Sequence, residues 1–202
     1  MSEIKSIEQL RDLYGEPSEK TKNKVLNLLD SHATTFISSS HFALLSTVDS
    51  FGFVDLSPKG GEPGFIKVVD SNTLLIPDSS GNKRLDSLQN IVANPKVGLL
   101  FMVNGVDEVV RVKGVASIHH DSELASICPD GNKAPKTVIK VTVEHMLFHC
   151  AKAIMRGKLW DDGYRVDRAF MPSLAEIIKE QQSLDSPFVS QDKMVSYYKS
   201  TL

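Results

Sequence analysis

Between His41 and Phe148 the chain breaks repeatedly into short runs of branched and aromatic residues, each closed by glycine, proline, asparagine or aspartate. Runs of about four to eight such residues form strands and the breaks form turns, so this pattern restricts the fold more than any other feature. HFALLSTV (His41 to Val48), GFVDLS (Gly52 to Ser57), GFIKVV (Gly64 to Val69) and TLLIP (Thr73 to Pro77) read as an antiparallel meander. Asp49-Ser50-Phe51-Gly52 makes a hairpin loop in which Gly52 is free to take positive φ. VGLLFMV (Val97 to Val103) and EVVRVKGVASI (Glu108 to Ile118) are two longer strands joined at Asn104-Gly105, and Lys136 to Phe148 alternates as a last long strand.

Helices surround these strands. Ile4 to Tyr14 and Thr21 to Leu29 carry apolar residues at helical spacing on either side of Gly15 and Pro17. A helix is predicted from about Lys83 to Ala93, with Leu85, Leu88, Ile91 and Val92 on one face, Asn82 as its N-cap and Asn94-Pro95 as its stop. Asp121 to Ile127, Cys150 to Arg156, Pro172 to Gln182 and Gln191 to Lys199 complete the helical set. Strands first, with helices inserted and appended, predict an α+β protein. Its antiparallel, Greek-key-like sheet curls into a barrel instead of alternating as βαβ units.

The 202 residues suffice to bury about 70% of the unfolded chain's surface, so no disulfide or structural metal is needed. Lys+Arg 23 against Asp+Glu 25 leaves no basic excess for a phosphodiester backbone, and nucleic acid is not an expected partner. Glu3, Lys5, Glu8, Arg11 and Asp12 stand where a signal peptide needs an apolar core, so a cytoplasmic location is expected. No membrane association is expected either, because the longest apolar run, Val97 to Val103, is far shorter than the ~20 residues of a spanning helix. Cys128 and Cys150 form no Cys-x-x-Cys pair and are expected to be buried, inert thiols. His145 and His149 are four apart, but on a strand that spacing separates them by about 13 Å, and no metal site is expected. Rossmann, P-loop and Gly-x-Ser-x-Gly signatures are absent from the sequence.

The chemistry gathers between Asp55 and Asn94. At the end of one strand, Ser57, Lys59 and the amides around Gly60-Gly61 offer a hydroxyl, a cation and unhindered N–H groups suited to an anion. Farther on, Gly81-Asn82 leads into Lys83 and Arg84 on the expected first turn of a helix, where unpaired N–H groups and the macrodipole bind phosphate. Two readings stay open at this point: an anion site, or a plain turn followed by solvated charges. Cations at a helix start oppose the macrodipole, so they call for a bound anion or a carboxylate such as Asp78 or Asp86.

The succession Ser57-Pro58-Lys59-Gly60, Gly81-Asn82-Lys83-Arg84-Leu85-Asp86, Asn94-Pro95-Lys96-Val97-Gly98-Leu99-Leu100-Phe101 and Arg111-Val112-Lys113-Gly114 resembles the pyridoxamine 5′-phosphate oxidase family of flavin mononucleotide (FMN)-binding split barrels. The likeness runs from about Thr35 to Trp160. It is greatest to a subgroup with segments similar to Phe148-His149-Cys150-Ala151-Lys152-Ala153 and Leu159-Trp160.

The resemblance implies a split barrel of about six strands and a homodimer with two FMN molecules in grooves between the subunits. It also implies a division into an N-terminal helical arm (1–34), an FMN-binding barrel (35–160) and a C-terminal helical extension (161–202). Carried onto matching positions, the phosphate ligands are Ser57, Lys59, Lys83 and Arg84, with Asn82 beside them.

Other positions keep two readings each. Pro58, Ile76 and Pro77 lie near the isoalloxazine through backbone contacts or merely end strands; Arg111 faces the flavin or is a surface arginine. Trp160 covers the ring or packs the tail, and His149 and Lys152 are candidate flavin or substrate contacts. The implied function is an FMN-dependent oxidoreductase acting on a small molecule. The alternatives are a non-catalytic flavin-binding or stress-related protein, or a barrel that takes haem or a deazaflavin. Authentic oxidases of the vitamin carry an arginine on the second strand where this chain has Asp55-Leu56-Ser57, a departure that argues against that substrate.

Overall fold

The computed structural model describes residues 3–78, 81, 83–129 and 133–201. Alternating burial sets the strands. β1 (Phe42–Val48) buries Ala43, Leu45 and Thr47 and turns its other side chains outward. β2 (Val54–Gly60), β3 (Lys67–Asp70) and β4 (Thr73–Asp78) follow, with Leu74, Leu75 and Ile76 all buried in β4. β5 (Lys96–Met102) and β6 (Val109–His119) alternate again, and β7 (Thr137–His149) is the longest strand.

The seven strands form one sheet in the order β2-β1-β5-β6-β7-β4-β3, every pairing antiparallel. Side chains such as Leu45, Ile76, Phe101 and Ile139 are fully enclosed, each contributing about 1.5–3 kcal/mol of transfer free energy. The sheet does not lie open: Lys59 of β2 meets Asp78 of β4 at 2.9 Å, although four strands separate β2 from β4 in the order. The result is a split barrel with a seam between β2 and β4. At the β6–β7 bulge after Lys113 the strands approach so closely that a Cβ at Gly114 would collide with the Thr142 carbonyl.

The helices partly depart from the sequence expectation. α1 (Ile7–Tyr14) forms behind a Ser6 cap and buries no residue. α2 (Glu19–Lys22) is a single turn, so the helix expected over Thr21 to Leu29 is absent. The reason lies in β7, which β4 covers only from Thr137 to Thr142. Leu26 fills the open edge beyond, exchanging backbone hydrogen bonds with Met146 at 2.8 and 2.7 Å. α3 (Ser31–Ser38) was not expected; Asp30 caps it by accepting from the Ala33 N–H at 2.8 Å, and Ala33 and Ile37 enter the core.

α4 (Asp86–Ala93) packs on the barrel, where Asn90 donates its amide to Thr47 Oγ1 at 3.0 Å in a buried bond. Then come α5 (Ser122–Ile127), capped by Asp121, and α6 (Lys152–Gly157).

Two compact units divide the chain, residues 1–155 and residues 156–202. The second holds two 3₁₀ turns, α7 (Leu174–Gln182) and α8 (Gln191–Thr201). Within it Ser173 caps α7 and donates to the Val189 carbonyl at 2.6 Å, while Arg168 reaches Gln191 Oε1 at 2.9 Å.

The two thiols differ, against expectation. Cys128 is fully buried, but Cys150 is exposed because it follows the last residue of β7, where the strand leaves the sheet. Burial pushes the Cys128 thiol above its ordinary value, only partly opposed by the charge of Lys67. Among the described residues no helix is long and apolar enough to cross a membrane.

Candidate anion site

β2 inverts the usual amphipathic sense. Val54, Leu56 and Pro58 are exposed, while Asp55, Ser57 and Lys59 are half-buried. The polar set therefore faces the seam, where Lys59 Nζ donates to Asp78 Oδ1. Both side chains of that pair are about a fifth exposed, at 18% and 19%.

Between Asp78 and α4 the described residues are Gly81 and 83–85, and here one expectation fails. Lys83 and Arg84 are not on the first turn of a helix, because α4 begins at Asp86. Lys83 and Leu85 take φ of 64° and 59°, a left-handed conformation that costs about 1–3 kcal/mol each and cannot continue a right-handed helix. Leu85 occupies the cap position without a side-chain hydrogen bond, and Asp86 supplies the negative charge the first turn favours. Asn82, expected as the cap, lies outside the described residues. Arg84 Nε bonds Asp86 Oδ2 at 2.8 Å on the exposed surface, and that bond holds the guanidinium pKa above its ordinary value.

Ser57, Pro58, Lys59, Pro77, Lys83 and Arg84 line one cavity of about 540 Å³ at the seam, in the size range of small-molecule sites. Asp55, Asp78 and Asp86 share it, as does Ser87, whose hydroxyl donates to Asp55 Oδ2 at 3.4 Å. Asp55 was not singled out from the sequence as a site residue; its parity with Ser57 and Lys59 on one strand was the available signal. Three cations and two hydroxyls line the hollow, donors of the kind that hold a phosphomonoester, while Asp55, Asp78 and Asp86 offset the three positive charges and engage Ser87, Lys59 and Arg84.

The remaining candidates are elsewhere. Ile76 is completely enclosed in the core and has no surface to offer a ligand. Arg111 is exposed on the outer face of the sheet, opposite Leu100 and Leu147. There it lines a second, mostly apolar cavity of about 660 Å³ with Leu44, Leu56, Leu100 and Leu147. His149 ends β7 opposite Val109, and Lys152 opens α6; neither lines the seam cavity. Trp160 belongs to the 156–202 unit. Among the described residues no group of three or more His, Cys, Asp or Glu is arranged to hold a metal ion.

Comparison with solved structures returns proteins of modest likeness. HupZ of Group A Streptococcus is 20% identical over 58% of this chain and 91% of its own, with a TM-score of 0.48. A Lactobacillus delbrueckii protein assigned provisionally as a pyridoxamine 5′-phosphate oxidase is 23% identical over 60% of this chain and 95% of its own, at 0.48. General stress protein 26 of Bacillus anthracis is 20% identical over 57% and 88%, at 0.42. No curated protein sequence matches. The family described as pyridoxamine 5′-phosphate oxidase, however, matches residues 29–150, the stretch that builds the barrel and carries the seam cavity. On that match, which spans more than half of the sequence, the chain belongs to the pyridoxamine 5′-phosphate oxidase family.

Proposed function

We propose that the protein binds FMN, holding its phosphate in the seam cavity between β2 and the 83–84 segment. One observation carries this reading: Ser57, Lys59, Lys83 and Arg84, separated in sequence, line the same hollow. Lys59, Lys83 and Arg84 supply positive charge there, and the Ser57 hydroxyl donates to a phosphate oxygen. The strained backbone at Lys83 and Leu85 supports the assignment, because left-handed non-glycine residues concentrate at binding sites. Pro58 and Pro77 border the same space and would flank the start of the flavin. When bound, FMN supplies hydride transfer at its N5 position. The chain's own part is to orient the cofactor and limit access to it.

The outer face of β2, β1 and β5 leaves Phe42, Val54 and Leu56 exposed at 39%, 66% and 61%. A second copy of the chain is the proposed cover for this face, with Arg111 and its apolar neighbours inside the interface.

The double substitution Lys59→Ala with Arg84→Ala tests the phosphate assignment. Each charge-assisted hydrogen bond is worth about 1.5–3 kcal/mol, so losing two raises the FMN dissociation constant at least about a hundredfold. A variant that folds and keeps its flavin through dialysis refutes the site. The purified protein is expected to show flavin absorbance; a Soret band would instead mean haem. Steady-state reduction by NADH or NADPH, with an unidentified small molecule as final acceptor, then separates an oxidoreductase from a protein that only holds flavin.

A further inference from the structure

Lys59 faces the cavity already engaged, since its ammonium is held by Asp78 at 2.9 Å across the seam. No backbone ladder ties β2 to β4, so this ion pair spans strands that the sheet itself does not pair. The pair is also far better shielded from water than Arg84–Asp86, whose side chains are 72% and 47% exposed. Shielding matters because water and salt weaken an exposed pair to little, while a half-enclosed pair keeps its attraction. The two cations thus meet an anion differently: the Arg84–Asp86 pair lies open to solvent, the Lys59–Asp78 pair is shielded from it.

We propose that Asp78 is the built-in competitor of the ligand's phosphate for Lys59 and thereby sets how tightly the site holds a phosphorylated ligand. The proposal rests on the phosphate site assigned above. Asp78 compensates the half-buried lysine, whose charge would otherwise be costly to enclose. A phosphate entering beside Ser57 draws the ammonium towards itself and meets the carboxylate's repulsion at the same time. The lysine has three protons to share, so it bridges the carboxylate and the phosphate without leaving either. The consequence is a site that admits a dianion at reduced affinity and gives little hold to weakly charged anions. Asp78→Asn keeps the shape and removes the competing charge. The Asp78 backbone carbonyl, which accepts from the Lys136 N–H at 3.1 Å, is untouched by the change.

The test titrates FMN and riboflavin, which differ only by the phosphate, into the wild-type protein, Asp78→Asn, Lys59→Ala and the double variant. Asp78→Asn is expected to raise the preference for FMN over riboflavin at least about tenfold, and to tighten the binding of inorganic phosphate as well. In the Lys59→Ala background the same substitution should raise the preference by clearly less, because only the carboxylate's direct repulsion is then left to relieve. A fall in FMN preference on Asp78→Asn, or an undiminished gain without Lys59, overturns the proposal. Should Asp78→Asn not fold, Asp78→Ser reads the same competition. Failure of the site itself looks different: the wild-type protein would bind riboflavin as tightly as FMN.

Discussion

The two cavities that β2 borders are opposites. At the seam the strand contributes Asp55, Ser57 and Lys59, bordered by Leu56 and Pro58, to a hollow that Asp78, Asp86, Lys83 and Arg84 also line. Towards the outer face it contributes Leu56 to a groove lined also by Leu44, Gly98, Leu100 and Leu147. One strand serves both because successive side chains point to opposite sides. A half-buried polar parity is the reverse of what burial within one chain would select, and it is what the proposed phosphate site on one face and the proposed second copy on the other would together require.

The largest effect expected from breaking this contrast is on the polar side. The Lys59→Ala, Arg84→Ala pair removes at least about a hundredfold of FMN affinity while leaving the association state unchanged, as read by flavin fluorescence and sedimentation together. On the apolar side, Leu56→Asp combined with Leu100→Asp is expected to reduce the sedimenting particle to the 22.3 kDa of one chain. An unchanged dimer mass would show that this face is not where two copies meet.

Beneath both cavities the core should respond through stability alone. Thr47→Val strips the buried Asn90 amide of its acceptor and is expected to cost about 1–3 kcal/mol by urea unfolding, with FMN affinity within about twofold of wild type. Loss of flavin with no loss of stability would reverse the roles of the two regions.

The smallest effect concerns Cys128. Its folded-state pKa is raised by burial, so the unfolded chain gives up the thiol proton first and stability falls as pH rises past the ordinary value of 9.0. Urea midpoints should drop between pH 8 and pH 10 slightly more for the wild type than for Cys128→Ala, and equal drops would contradict the assignment.

Much of the barrel was legible because its strands bury alternate residues, as in Ala43-Leu44-Leu45 and Val110-Arg111-Val112, and because turns such as Asn104-Gly105 punctuate them. What escaped depended on partners distant in sequence. The stretch 23–29 reads as helix by spacing, yet Leu26 answers the unpaired edge of β7, a vacancy created by the short reach of β4. α3 was hidden by its run of serines and threonines, although Asp30 and the Ala33–Ile37 spacing announced it.

Ser57, Lys59, Lys83 and Arg84 were readable as residues of one cavity, but their local geometry was not. The left-handed turn at Lys83 and Leu85 defeats a helix that the apolar spacing favours. Ile76 was read as a flavin neighbour or a strand end beside Pro77, whereas it is the last of three consecutive buried residues in β4. The Lys59–Asp78 pair could not be read at all, since it exists only once the sheet has curled.

A crystal structure of the protein grown with FMN tests the central claim most directly. The account predicts phosphate density between β2 and the 83–84 segment, within hydrogen-bond reach of Ser57, Lys59 and Arg84. A flavin seated with its phosphate anywhere else, or an empty seam in crystals saturated with FMN, would contradict it.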